Sequence, residues 1–106
     1  MLEFSLATEN EIRAELASRL RKQRLIKGLS LETLAKRAGI GRNTLQRMEV
    51  TGDCTFENFV RTVQALGLAH ELQELFELKA ISIAQLEKQA ELTKRTRAPR
   101  QPRLKK

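Results

Sequence analysis

The chain contains no Trp and no Tyr, only four Phe, a single Cys and two Pro, both among its last eight residues. With aromatics at 4% and hydrophobic residues at 41%, any core has to be aliphatic and shared among several elements. One cysteine, Cys54, rules out an internal disulfide, which suits a reducing compartment. No apolar run approaches the ~20 residues needed to span a bilayer. The opening stretch MLEFSLATENEIR lacks the basic start and long apolar segment of a secretory leader. These absences lead us to expect a soluble, cytoplasmic protein with no membrane contact. Sustained two-residue alternation and Asn-Gly hairpin signals are missing as well, so no sheet is expected.

Charge is plentiful but unevenly placed. The net charge is +7 over 106 residues, a length that suits one small domain with an appendage. Residues 94–106 hold seven bases and no acid, and the thirteen bases before them are balanced by thirteen acids. Within that neutral part, residues 13–47 carry ten bases against Glu15 and Glu32, whereas residues 48–93 carry three bases against eight acids. A basic front, an acidic back and a basic tail suggest a polyanion facing the front. Ordinary solvated helix surface would account for the same composition, so charge alone does not decide.

Helical signals run along the chain. Thr8 followed by Glu11 forms a capping box, and Ile12, Leu16 and Leu20 then recur at helical spacing until Gly28. Ser30 caps a short helix bearing Leu31, Leu34, Ala35 and Ala38, which Gly39 ends. Leu45 and Met48 mark the inner face of a third helix beginning near Gly41. Thr55 caps a fourth, with Phe56, Phe59, Val60, Val63 and Leu66 inward and Gly67 closing it. Leu68, Leu72, Leu75 and Phe76 predict a fifth helix, and Ser82 with Gln85 opens a weaker one carrying Ile83, Leu86 and Ala90. After Thr93 the composition of Arg, Lys, Pro and Gln cannot build a core.

The stretch LAKRAGIGRNTLQRMEVTG, residues 34–52, is the informative one. Gly39 is expected at positive φ, turning the chain sharply between two short helices. Ala35 is small enough to let them approach, while Ile40 and Leu45 fill the corner. Such a unit can project the start of its second helix into a major groove. Arg42, Asn43, Gln46 and Arg47 lie away from Leu45 and Met48. Arg pairs with a guanine edge and Asn or Gln with an adenine edge.

Residues from about 16 to 76 resemble the Xre/Cro/C1 class of helix-turn-helix regulators. The matching positions include Leu20, Arg24, Gly28, Leu29, Ser30, Leu34, Ala35, Gly39, Leu45, Glu49, Gly52, Phe59, Leu66 and Gly67. The resemblance implies an all-α fold: a five-helix lambda-repressor-like domain over residues 1–79, with Leu75 and Phe76 closing its core. An additional C-terminal helix over 80–93 and a basic disordered tail over 94–106 would follow. It implies base reading by Arg42, Asn43, Gln46 and Arg47, and phosphate contacts at Leu31, Thr44, Thr51, Gly52 and Thr55. Arg97, Arg100 and Arg103 of the tail join the phosphate set. Arg24 and Glu49 are expected to form a structural salt bridge. Leu31 stands where the family usually has a Gln, and Gly41 where it usually has a Ser or Thr cap. Lys36 and Arg37 read as solvated.

Two functions from different classes are compatible with these residues. One is a sequence-specific repressor of double-stranded DNA, acting as a homodimer on a palindromic operator. The other is an antitoxin that also holds a protein partner, because TLQRMEVTGDCTFENFVRTVQALGL resembles regulators found beside HipA-type kinase toxins. A dimer surface is expected from Leu72, Leu75, Leu78, Ile81, Ile83 and Leu86. Asp53, Glu57 and His70 show no spacing for acid-base catalysis, Cys54 has no nearby metal-ligand partner, and no cofactor is expected.

Overall fold

The computed structural model describes residues 2–78 and 83–97, with backbone alone at 95–97. Five α-helices are present and no strand occurs among the described residues: α1 (Glu9–Ile26), α2 (Leu31–Ala38), α3 (Arg42–Thr51), α4 (Phe56–Ala65) and α5 (Ile83–Arg97). Single 3-10 turns stand at Phe4–Leu6 and Ala69–Leu72. The chain divides into two compact units, Met1–Gln73 and Glu74–Lys106.

In the first unit, local chemistry sets the helix starts. The Thr8 side chain accepts from the Glu11 amide while the Glu11 carboxylate accepts from the Thr8 amide, completing the capping box of α1. Ser30 caps α2 through the Thr33 amide, and Thr55 caps α4 through the Asn58 amide. α3 starts at Gly41 with no side-chain cap, as a glycine in that position dictates. At the other end of α2, Gly39 adopts φ 74°, and the Ile40 amide returns to the Ala35 carbonyl at 3.0 Å. This left-handed turn carries no steric penalty for glycine and makes the corner sharp.

The core is aliphatic. Leu20, Leu34, Ala35, Leu45, Met48, Val63 and Leu66 form one buried cluster, with Leu29, Leu31, Ile40, Phe59 and Leu68 packed against it. α3 packs on both α1 and α2, and α2 packs on α4. Leu34 and Leu45, one from each side of the corner, are completely buried. The Thr62 hydroxyl, also fully buried, donates to the Asn58 carbonyl at 2.8 Å and so carries no unsatisfied polar atom into the core.

The structure departs from the sequence reading in three places. Phe56, expected inward, is 81% exposed and rims an apolar recess of about 320 Å³ with Leu16, Met48 and Phe59. It is the first residue of α4, placed directly after the cap, and the inward face of the helix begins only later, with half-buried Phe59 and buried Thr62 and Val63. The fifth helix is reduced to the 3-10 turn Ala69–Leu72, and Leu75 and Phe76 are exposed rather than closing the core. Leu68 supplies no side-chain cap, and Glu71, Glu74 and Glu77 would stack like charges at three-residue spacing along a helix.

The second unit contains α5, whose Ile83, Leu86 and Leu92 are exposed. α5 continues through Lys94 to Arg97, four residues into the segment expected to lack structure. Lys and Arg are good helix formers and favour the negative end of the helix dipole. The rest of the tail, including Arg100 and Arg103, lies outside the described residues, as do Ile81 and the expected cap Ser82.

Candidate nucleic-acid interface

α3 has two unlike faces. Leu45, Met48 and Glu49 are buried, whereas Arg42, Asn43, Gln46, Arg47 and Val50 are exposed. Positions 42, 43, 46, 47 and 50 follow the one- and three- to four-residue steps that make a continuous stripe along a helix. Ten residues at ~1.5 Å rise give a rod of about 15 Å, a size that a major groove accepts.

Inside the domain, α3 is held by a buried ion pair. Arg24 of α1 donates through Nε to Glu49 Oε2 at 2.8 Å and through Nη2 to Oε1 at 3.0 Å. Its Nη1 donates to the Leu29 carbonyl at 2.8 Å, so one guanidinium ties α1, the α1–α2 turn and α3 together. Both side chains are almost wholly out of solvent. The bidentate fork and the third bond satisfy the charges that burial would otherwise leave exposed to a low dielectric.

The outward side chains differ in their commitments. Arg42 makes a long 3.4 Å contact from Nη1 to Gln46 Oε1, one turn along. Arg47 donates from Nη2 to Asp53 Oδ2 at 2.7 Å. Thr44 is exposed in the uncapped first turn, where amide groups have no side-chain acceptor.

The positions expected at phosphate are more varied. Leu31 is half-buried against the core and offers no polar side-chain atom. Gly52 is buried at φ 78°, and its amide donates to the Met48 carbonyl at 2.8 Å. The Thr51 hydroxyl is bound on both sides: it donates to the Arg47 carbonyl at 2.7 Å and accepts from the Asp53 amide at 3.0 Å. Thr55 is exposed while capping α4.

Two residues of this surface escaped the sequence reading. Val50 is 71% exposed, three residues after Arg47 on the same stripe, and its helical spacing was the available signal. Asp53 was visible only as an isolated acid, because the Gly52 turn that returns it to α3 is a tertiary feature. Next to it, half-buried Cys54 has its thiol pushed up by burial and by the Asp53 charge, with Arg13 opposing. The thiol therefore stays protonated at neutral pH, which is not the state of a reactive cysteine. Among the described residues no His, Cys, Asp and Glu side chains gather as metal ligands, and no helix is long and apolar enough to cross a membrane.

A short, tightly turned helix pair whose second helix presents a polar and basic stripe is a helix-turn-helix. Residues 20–53 match the profile of a family described as Helix-turn-helix. The match covers about a third of the chain, and over this stretch the chain resembles the Xre/Cro/C1-type DNA-binding regulators. No curated protein matches the chain.

Proposed function

We propose that the protein is a cytoplasmic repressor that binds a palindromic operator as a homodimer, reading bases with Arg42, Asn43, Gln46 and Arg47. The observation that carries this reading is the exposed stripe of α3 opposite its buried Leu45–Met48 face. Val50 adds a methyl surface suited to a thymine methyl group. Thr44 and Thr55, both exposed, contact phosphate together with the uncapped first-turn amides of α3. Leu31, Thr51 and Gly52 leave that set for structural roles, since each is apolar, doubly bonded or buried. One recognition helix spans too few base pairs for genomic specificity, so two half-sites ~34 Å apart are required.

Selection from a random-sequence duplex library with the full chain tests this. The expected product is an inverted repeat with half-sites one helical turn apart. On that duplex Arg47→Ala should cost about 1–3 kcal/mol, with far less loss on random DNA. Equal weakening on both would remove Arg47 from the base-reading set.

The tail supplies the second contact surface in this proposal. Residues 94–106 carry seven bases, including Arg97, Arg100 and Arg103 at three-residue spacing. If they neutralise about five phosphates, deleting them should lower the log-log salt slope by roughly 4 to 5 units.

A second reading, an antitoxin that binds a toxin protein as well as its own operator, is favoured by Leu75, Phe76, Leu78, Ile83 and Leu86. All five are exposed, and none is required by the helix-turn-helix. Leu72, also expected at a dimer surface, is half-buried against the first unit's core instead. An unchanged salt slope after tail deletion would turn the basic arm toward such a partner.

A further inference from the structure

We propose that Asp53 is a positioning residue for base recognition: its carboxylate holds the Arg47 guanidinium in the orientation that meets a guanine edge. The inference rests on Arg47 being a base reader and adds the group that fixes its geometry. Three hydrogen bonds close a ring at the end of α3. Arg47 Nη2 donates to Asp53 Oδ2 at 2.7 Å, the Asp53 amide donates to Thr51 Oγ1 at 3.0 Å, and Thr51 Oγ1 donates to the Arg47 carbonyl at 2.7 Å. The ring exists because Gly52, in the left-handed region, folds the chain back so that residue 53 returns beside residue 47.

The chemistry leaves the arginine able to read. A guanidinium has five N–H donors, and the contact to Oδ2 uses one of them. Two parallel N–H groups remain for the O6 and N7 acceptors of guanine. Arg47 is 70% exposed at its side chain, so the free edge faces solvent. An unrestrained arginine would lose its rotamer freedom on binding, and a carboxylate that has already fixed it removes part of that loss.

Electrostatics alone makes the opposite forecast, which gives the test a sign. An acid beside a DNA-facing surface repels phosphate, so its removal by itself would tighten binding to every duplex. If Asp53 positions Arg47, the full chain bearing Asp53→Ala binds the duplex selected by the wild-type chain about 3- to 10-fold more weakly. Its affinity for random-sequence duplex is unchanged or higher. Asp53→Asn, which keeps the side-chain shape and loses the charge, moves in the same direction. In an Arg47→Ala background, Asp53→Ala no longer weakens the selected duplex. Tighter or unchanged binding of the selected duplex by Asp53→Ala, or an equal loss in the Arg47→Ala background, would overturn the positioning role while Arg47→Ala alone still lost selectivity. Failure of the underlying reading shows separately, as an Arg47→Ala variant that weakens both duplexes alike.

Discussion

Replacing Arg24 with Ala should destabilise the helix-turn-helix by about 3–5 kcal/mol, the cost of leaving a buried charge without its partner. Glu49 is 7% exposed and receives two hydrogen bonds from Arg24, so the truncation strands a carboxylate beside the core. The Leu29 carbonyl loses its guanidinium donor at the same time. A small domain has a total stability near the lower end of the usual 5–15 kcal/mol, so the loss takes most of what is available. Glu49→Ala should be comparably damaging, because the isolated guanidinium is then the buried charge. Replacing both together, Arg24→Met with Glu49→Leu, should recover much of the loss, since a well-packed apolar pair removes the desolvation problem from both sides. Urea unfolding of the full chain, followed by far-UV circular dichroism, measures all three. A loss below ~1 kcal/mol for either single variant would place the pair among ordinary solvated ion pairs and contradict its burial.

The same residues show how much of the molecule could be read in advance. Caps are short-range devices: a hydroxyl three residues before an amide it can reach identifies Thr8, Ser30 and Thr55 with little tertiary help. The corner was legible for a similar reason, since Gly39 between Ala35 and Leu45 leaves few ways to connect two short helices. Spacing failed where it was the only signal. Leu68, Leu72, Leu75 and Phe76 recur as a helix would require, but the sequence offers no cap there and repeats acids along the same segment. On α3 the exposed stripe was legible from Leu45 and Met48, because burying one face determines the other. The Arg47–Asp53 pair was not, because it depends on the direction the chain takes after Gly52.

Gly52 carries the second large effect. Gly52→Ala should cost about 3 kcal/mol or more, well beyond what its backbone conformation alone would exact. A residue with a Cβ loses about 1–2 kcal/mol in the left-handed region, where Gly52 sits at φ 78°. At this position the new Cβ would also stand 2.8 Å from the Arg13 carbonyl carbon and oxygen and 2.9 Å from Arg13 Cβ. Two of those three atoms are backbone, held in the ladder of α1, so the clash cannot be relieved by rotating a side chain. Either α1 or the end of α3 has to shift, and the shift strains the Arg24–Glu49 tie between the same two helices. Gly67 provides the internal control, with φ 76° and nothing within 4 Å of an added Cβ. Gly67→Ala should therefore show the conformational cost alone. The difference between the two unfolding free energies isolates the packing of α3 on α1. Equal losses in the two variants would mean that α1 yields freely at Arg13, and the close approach of these helices would then contribute nothing to holding the recognition helix in place.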